Sequence, residues 1–476
     1  MGVSVRWATA GLAAMTISVA AQKPVAQTPP MGWNSWDAYG LTITEPQFRD
    51  NVAVLKAKLA PFGWQYAVID EGWFFENPQD RETPEKLHYA LDHNGRYVPV
   101  PARFPSAVSK VAYPVPPGAA REDLPYPAGT LAATIEETSF AALGAWVHAQ
   151  GLKFGIHIVR GIPRASVQRD LPIANSSFKA RDAADESDAC PWDPTNWGVK
   201  DNAAGQAWYD SLITQYAAWG VDLLKVDCIG DHPYKVDEIR MIRRAIDKTT
   251  AKTGRPMVLS LSPGPMNLSH ADEVGTPANM WRISDDEWDI WQTNGHFPQG
   301  VKDQFPRLAA WERYAKPGTW PDADMLALGE LRPSPGWGAP RSSRLTPDEQ
   351  KTLLTLWAMA RSPLILGSNL TLLDDATLKL LTNRDLIAID QTATRSEQVS
   401  GGAVVEWRAD LPDGQVARAF FNTGDQSASV ELTMLDGINL RTPHRVRDVW
   451  AQQELGALRH LKRDIPPHGC VLFLLH

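Results

Sequence analysis

Short apolar runs recur along the chain, each breaking into polar residues and each followed by a longer stretch with apolar positions at helical spacing. In order they are MGWNSW (31–36), YAVIDEGW (66–73), FGIHIVR (154–160), LLKVDC (223–228), MVLSLSPG (257–264), MWRISDD (280–286), a segment around WPDADML (320–326) and PLILGSN (363–369). Between them EPQFRDNVAVLKAKLAPFG, FAALGAWVHAQGL, AGQAWYDSLITQYAAWG and VDEIRMIRRAIDKTT read as amphipathic helices. Strand then helix, eight times, is the alternation of a (β/α)8 TIM barrel. An open doubly wound sheet fits the same alternation, but no Gly-rich phosphate loop follows the first strand.

From about residue 395 the pattern changes to period two with turn residues between runs: GAVVEWRA, GQVARAFFNTG, SASVELTML, RVRDVWAQQEL and CVLFLL. We therefore expect a catalytic barrel over 22–394 and an antiparallel β-sandwich domain over 395–476. Two connections are too long for turns: 76–131, rich in proline, and 161–200, which carries RDAADESDACPWDPTNWG. Both leave C-terminal strand ends, so both should wall the mouth of the barrel, where pockets form.

The strand ends carry more charge than folding requires. In LLKVDC, Leu224 and Val226 share one face while Lys225 and Asp227 share the other. A cation beside Asp227 would keep it ionised and able to attack a carbon electrophile; a structural ion pair closing the barrel is the alternative. In MWRISDDEW the same alternation puts Arg282, Ser284 and Asp286 together, so Asp286 is the second candidate carboxylate and Asp285 a bystander. A bulge would shift that assignment by one residue. Two carboxylates across one barrel mouth suit cleavage of a glycosidic bond: one attacks the anomeric carbon, the other protonates the leaving oxygen and then activates water. VIDEGWFF sets Asp70 and Glu71 side by side at another strand tip. Asp322 and Asp324 in DADML read as loop hydrogen-bond anchors rather than a metal site, since no His or further carboxylate stands in register. No ATP motif, zinc signature or Gly-x-Ser-x-Gly elbow competes.

Composition narrows the ligand. A length of 476 residues holds a barrel plus a smaller module, and a net charge of −8 with both signs interspersed gives no basic stripe for nucleic acid. The 19 Trp add a modest argument for sugar, because indole faces stack on apolar C–H surfaces. The N-terminus has Arg6, an apolar run from about Trp7 to Ile17, and small residues at Val19-Ala20-Ala21. It reads as a signal peptide over 1–21, cleaved near Ala21, with a secreted or periplasmic product and no membrane span. Of three cysteines, Cys190 and Cys228 are the candidate pair, both placed near strand ends on one side of the barrel. Cys470 reads as a buried strand thiol, and inert packing is the alternative for all three.

TPPMGWNSWDAYG, AVIDEGW, NGRYVPVPARFP, GLKFGIHI, DLLKVDC, MWRISDD, WPDADML, ARSPLILGSNL and LIAIDQ, in this order, resemble glycoside hydrolase family 27, the retaining α-galactosidases and their relatives. The resemblance runs from about Pro29 to the C-terminus and implies the same barrel-plus-β-domain fold, no cofactor and no metal. It implies Asp227 as nucleophile, Asp286 as acid/base, Trp36 as the stacking tryptophan, Lys225 as a hydroxyl-binding lysine and Arg282 as a contact to the 2-hydroxyl. Asp70 and Glu71 fall where the family holds the 4- and 6-hydroxyls of galactose.

The departures bear on the substrate. Glu71 stands where Asp is usual, and its extra methylene points toward the space of a 6-hydroxymethyl group, which β-L-arabinopyranose lacks. Ser262 stands where α-galactosidases often carry Glu near the 2-hydroxyl; relatives acting on N-acetylgalactosamine also have Ser there. His157 stands where an aromatic is common, either as a sugar contact or as a satisfied pocket-wall histidine. Cys228 follows Asp227 directly, whereas many relatives place a residue between. The leading expectation is a secreted exo-glycosidase releasing terminal α-D-galactose from an oligosaccharide or polysaccharide side chain. A β-L-arabinopyranosidase follows closely, then an α-N-acetylgalactosaminidase. A catalytically inactive sugar-binding barrel is the alternative of a different class, disfavoured because Asp227, Asp286, Lys225 and Arg282 occur together.

Overall fold

The computed structural model describes Gly2 and residues 25–476, apart from 82, 84–85, 114–132, 194, 294, 296, 333–338, 433–443 and 459. The expected signal segment 1–21 lies outside the described residues, Gly2 excepted, as does much of the loop 76–131.

Among the described residues eight parallel strands form one sheet: β1 (Met31–Asn34), β2 (Tyr66–Ile69), β3 (Lys153–Val159), β4 (Val221–Asp227), β5 (Val258–Leu261), β6 (Met280–Arg282), β7 (Trp320–Asp322) and β8 (Leu364–Leu366). From β1 to β7 each strand pairs with the next in the chain, and β8 pairs with β1. The ring closes past the end of β7, where Leu326 bridges Leu366 and its N–H donates to the Ile365 carbonyl at 2.8 Å. The expected (β/α)8 TIM barrel is therefore present. Its strands are buried on both faces, which is why they read as near-continuous apolar runs.

Helices α1 (Glu45–Val54), α2 (Ala141–Ala149), α3 (Ala203–Ala218), α4 (Val236–Thr253), α5 (Val301–Trp311) and α6 (Pro347–Ala360) cover the outside. α4 buries Ile239, Ile242, Ala245, Ile246 and Thr249, a stripe at helical spacing. α6 starts where the Thr346 hydroxyl accepts the Glu349 N–H and Glu349 accepts the Thr346 N–H, a reciprocal cap with Pro347 in the first turn.

Beyond the barrel, β9 (Arg395–Ser400), β10 (Val404–Asp410), β11 (Val416–Asn422), β12 (Ala428–Leu432), β13 (His444–Asp448), β14 (Gln453–Leu458), β15 (Leu461–Ile465) and β16 (Cys470–Leu475) form an antiparallel module. A six-stranded sheet in the order β9-β10-β11-β16-β13-β14 faces the pair β12-β15 across Phe420, Val446, Leu461, Ile465 and Phe473. Its other face, with Trp407, Phe421 and Leu472, joins the barrel core. Phe421 meets Phe305 of α5 edge-on at 5.2 Å. Cys470 lies on β16 as a half-buried thiol, less enclosed than its apolar strand suggests, with Sγ 3.3 Å from the Thr355 hydroxyl.

The turns that leave β1 and β2 are held by a buried arginine. Arg103 donates to the carbonyls of Leu41 (2.6 Å), Ile43 (2.7 Å), Phe75 (3.0 Å) and Gly72. Gly72 has φ +90°, and a Cβ there would stand 2.9 Å from the Leu41 carbonyl oxygen, so the turn after Glu71 admits no side chain. We expect Arg103→Met to strand these buried acceptors and lower stability by about 3 kcal/mol. The check is a lower thermal midpoint with unchanged helical circular dichroism before melting.

Candidate active site

Parallel register sets the level of the charged groups. His157 of β3 pairs with Lys225 of β4, and Lys225 pairs with Ser260 of β5. Ile69 of β2 pairs with Ile156, so Asp70, one residue on, arrives at the height of His157. Lys225 Nζ lies 2.9 Å from Asp70 Oδ2, which also accepts from Asn34 Nδ2 at 2.6 Å. Burial by itself would raise the Asp70 pKa, but Lys225 and His157 hold it at about 2. The expected direct effect of Lys225 on Asp227 is thus redistributed: its hydrogen-bonded partner is Asp70, because the Asp70 carboxylate at the tip of β2 comes within contact of the ammonium.

Asp227 ends β4. Its Oδ1 accepts the Cys228 N–H at 2.7 Å and the Ser262 hydroxyl at 3.0 Å, and His157 Nε2 stands 3.6 Å from Oδ2. Burial opposes its ionisation, yet His157, Lys225 and the Cys228 amide together drive the pKa well below the usual carboxylate range. The carboxylate is held as an anion.

Asp286 reaches the same mouth by a route other than strand alternation. β6 ends at Arg282, and the chain then bends, so Ser284 turns inward, fully buried, and donates to the Ala323 carbonyl at 3.2 Å. The expected face shared by Arg282, Ser284 and Asp286 is corrected accordingly. Arg282 and Asp286 still meet, Nη2 to Oδ1 at 3.1 Å, because four residues of turn bring the carboxylate back over the guanidinium. Arg282 Nη1 lies 2.7 Å from Asp324 Oδ1, a buried ion pair. Asp324 Oδ2 accepts the Glu287 N–H and Asp322 Oδ1 accepts the Asp324 N–H, so this pair anchors loops and also orients the arginine. Among the described residues no group of three or more His, Cys, Asp or Glu side chains has a metal-holding arrangement.

Trp36, Glu71, Asp227 and Asp286 line one cavity of about 680 Å³ at the C-terminal mouth. Lys225 and Arg282 instead line a small void inside the barrel with Asn34, Asp322 and Asp324, while His157 and Ser262 reach Asp227 from the side. Glu71 is 4 % exposed, with Arg81 Nη2 3.5 Å from its Oε1. Burial, with Asp193 and Asp227 nearby, pushes its carboxyl up to about 7 despite Arg81. Both long loops contribute walls: Arg81 and Leu87 from the first, Pro191, Trp192 and Asp193 from the second. Cys190 and Cys228 form a disulfide, Cα to Cα 6.0 Å, which ties the second loop to the residue after Asp227.

Asn34, Arg81, Asp193 and Asp324 were not among the residues singled out for the site. Asn34 had a signal, a polar side chain closing a buried strand; Arg81 and Asp193 had none, since each meets the site through a loop.

Residues 201–392 match the family model for alpha galactosidase A, and 401–475 match the alpha galactosidase C-terminal beta sandwich domain. A family 27 β-L-arabinopyranosidase from Geobacillus stearothermophilus, solved with arabinose, is 37% identical at a TM-score of 0.81, covering 94% of this chain and 97% of that one. A candidate α-N-acetylgalactosaminidase from Bacillus halodurans is 36% identical at 0.76, covering 95% and 99%. An alpha-galactosidase from Cyamopsis tetragonoloba is 25% identical over 463 residues, 96% of this chain and 88% of that one. With two aspartates on one cavity of a TIM barrel, these likenesses define a glycoside hydrolase. The chain belongs to glycoside hydrolase family 27.

The raised Glu71 pKa has a thermodynamic sign. The folded protein holds this proton more tightly than the unfolded chain, so the contribution of Glu71 is intact below pH 4.5 and is lost as pH rises to about 7. We expect Glu71→Gln to melt close to the parent at pH 4.5 and to gain up to about 3 kcal/mol over it at pH 8. Paired thermal midpoints across that range check it; a gain independent of pH would contradict it.

Proposed function

We propose that the protein is a secreted, retaining exo-glycosidase for sugars of galacto configuration, and that it prefers terminal β-L-arabinopyranose over α-D-galactose. The order reverses the leading expectation from sequence. The observation that carries the reversal is Glu71, whose buried carboxyl lines the cavity with Arg81 Nη2 3.5 Å from its Oε1. A carboxyl held there by a second cation occupies room that a 6-hydroxymethyl group would need. The 37% identity to a β-L-arabinopyranosidase supports the same order. The N-acetylgalactosamine reading is weaker, because the Ser262 proton is given to Asp227 rather than offered to a 2-substituent.

In this reading Asp227, held ionised, attacks the anomeric carbon while Asp286 protonates the departing oxygen. Asp286 then takes a proton from water, which attacks the glycosyl-Asp227 ester and regenerates the carboxylate with overall retention. Trp36 stacks on the sugar, Asp70 and Lys225 hold the 4-hydroxyl side, and Arg282 orients Asp286 and reaches the 2-hydroxyl. The mature chain starts near Gln22, and the disulfide suits an oxidising compartment.

Nitrophenyl β-L-arabinopyranoside and α-D-galactopyranoside, compared by kcat/KM, test the order. The arabinoside should lead by at least about tenfold, and Glu71→Asp should move the ratio toward galactoside by a similar factor, the size expected for one methylene in a pocket. A galactoside preference unmoved by the mutation overturns the assignment. Asp227→Ala should lose turnover on both while still binding the free sugar, which a catalytically inactive sugar-binding barrel would not distinguish from the parent.

A further inference from the structure

The segment that leaves β6 carries Asp286 and is tied to the start of α5. The Asp286 carbonyl accepts the Gln299 N–H at 2.8 Å, and the Trp288 N–H donates to the Gln299 carbonyl at 3.0 Å. The carbonyls of Ile290 and Trp291 accept the N–H groups of Val301 (3.0 Å) and Lys302 (2.8 Å), so residues 286–291 and 299–302 form one hydrogen-bonded unit. From the barrel side, Arg341 and Arg344 hold the buried Asp289 at 2.7 and 3.0 Å. The far end is held by the β-domain. The half-buried Trp291 ring stacks on His468, with centroids 4.2 Å apart and planes 12° from parallel. His468 stands in the turn between β15 and β16, in the left-handed region at φ +59°. Its Nδ1 lies 2.7 Å from Glu349 Oε1 of α6, and its Nε2 lies 3.0 Å from Asp425 Oδ1 in the turn between β11 and β12. Its carbonyl accepts the Thr352 hydroxyl of α6 at 2.7 Å. Two carboxylates thus fix the imidazole within its plane, and the indole fixes it across that plane.

We propose that His468 is a positioning residue for the reaction: through its stack on Trp291, the β-domain sets where Asp286 stands. The inference rests on the retaining exo-glycosidase reading above, in which Asp286 is the acid/base. Asp286 lines the cavity, is about one-third exposed, and meets the Arg282 guanidinium at 3.1 Å. The place of so open a carboxyl depends on the backbone that carries it. Proton transfer to a leaving oxygen needs the donor within hydrogen-bond reach, so a shift of the 286–302 unit would weaken that step first. Phe421 of the same β-domain packs edge-on against Phe305 of α5 at 5.2 Å, which gives the domain a second grip on the helix that this unit enters.

Two substrates with the same terminal sugar separate the positioning of an acid from a general loosening. The glycosyl fluoride has a leaving group that needs no general acid, whereas the leaving oxygen of the methyl glycoside must be protonated. His468→Ala should lower kcat/KM on the methyl glycoside at least about tenfold and on the fluoride less than about threefold. Trp291→Leu, on the barrel side of the same contact, should show the same split, and the double variant should lose no more than either single one. Because the contact has a residue on each side, either variant carries the test if the other does not fold. Equal losses on the two substrates, with a lower thermal midpoint, would mean that His468 only braces the fold and would overturn the proposal. Losses that add in the double variant, or full activity of a single variant on the methyl glycoside, would overturn it too. A parent enzyme inactive on both substrates would instead overturn the glycosidase reading, and the proposal with it.

Discussion

Lys225 is a cation in the interior of a barrel, and the mouth of the barrel is arranged around that fact. An ammonium removed from water needs anions at contact distance, and Asp70 supplies one from β2 at 2.9 Å, with Asn34 of β1 bracing the same oxygen. The contact exists only because β1 to β4 are in fixed parallel register, with His157 opposite Lys225 and Asp70 a residue beyond the Ile69–Ile156 pair. A slip of one residue in any of these strands would turn its charged group to the helical layer. Strand pairing and charge pairing therefore specify each other.

A second cation organises the opposite side. Arg282 spans Asp324 beneath it and Asp286 above it, so the two carboxylates facing the cavity live in unlike settings. Asp227 is enclosed by donors: an amide, a hydroxyl and a nearby imidazole. Asp286 is about one-third exposed and touches one guanidinium. On the proposed reading, unlike surroundings for two like groups are what a double displacement needs, since one must stay an anion while the other exchanges a proton.

The sequence made the barrel legible because its strands are buried on both faces and each ends in polar residues, a signal that survives without any partner. Lys225 and Asp227 were placed by period-two alternation, and that worked because β4 runs unbroken from Val221 to Asp227. The same rule gave Asp286 the right neighbour for the wrong reason: β6 stops at Arg282, and a turn, not a strand, returns the carboxylate to the arginine. The partners of these residues were not legible. Nothing in LLKVDC names Asp70 as the counter-ion of Lys225, and nothing in MWRISDD names Asp324, because both contacts join different strands of the barrel that lie far apart in the chain.

The loops are where chain-specific chemistry is added to this frame. Glu71 shows how the two layers meet: its backbone is fixed by β2 and by the Gly72 turn that Arg103 holds, but its carboxylate faces Arg81, a residue of the long Pro-rich connection. An extra methylene at position 71 would by itself leave a flexible acid, free to swing clear of a 6-hydroxymethyl group. A cation 3.5 Å from Oε1 limits that freedom, most of all when Glu71 is ionised, because swinging away would then separate a buried charge from its nearest positive partner. On the proposed reading, sugar choice therefore belongs to the pair rather than to the glutamate alone, and the length of the side chain matters because the loop fixes where its end must be.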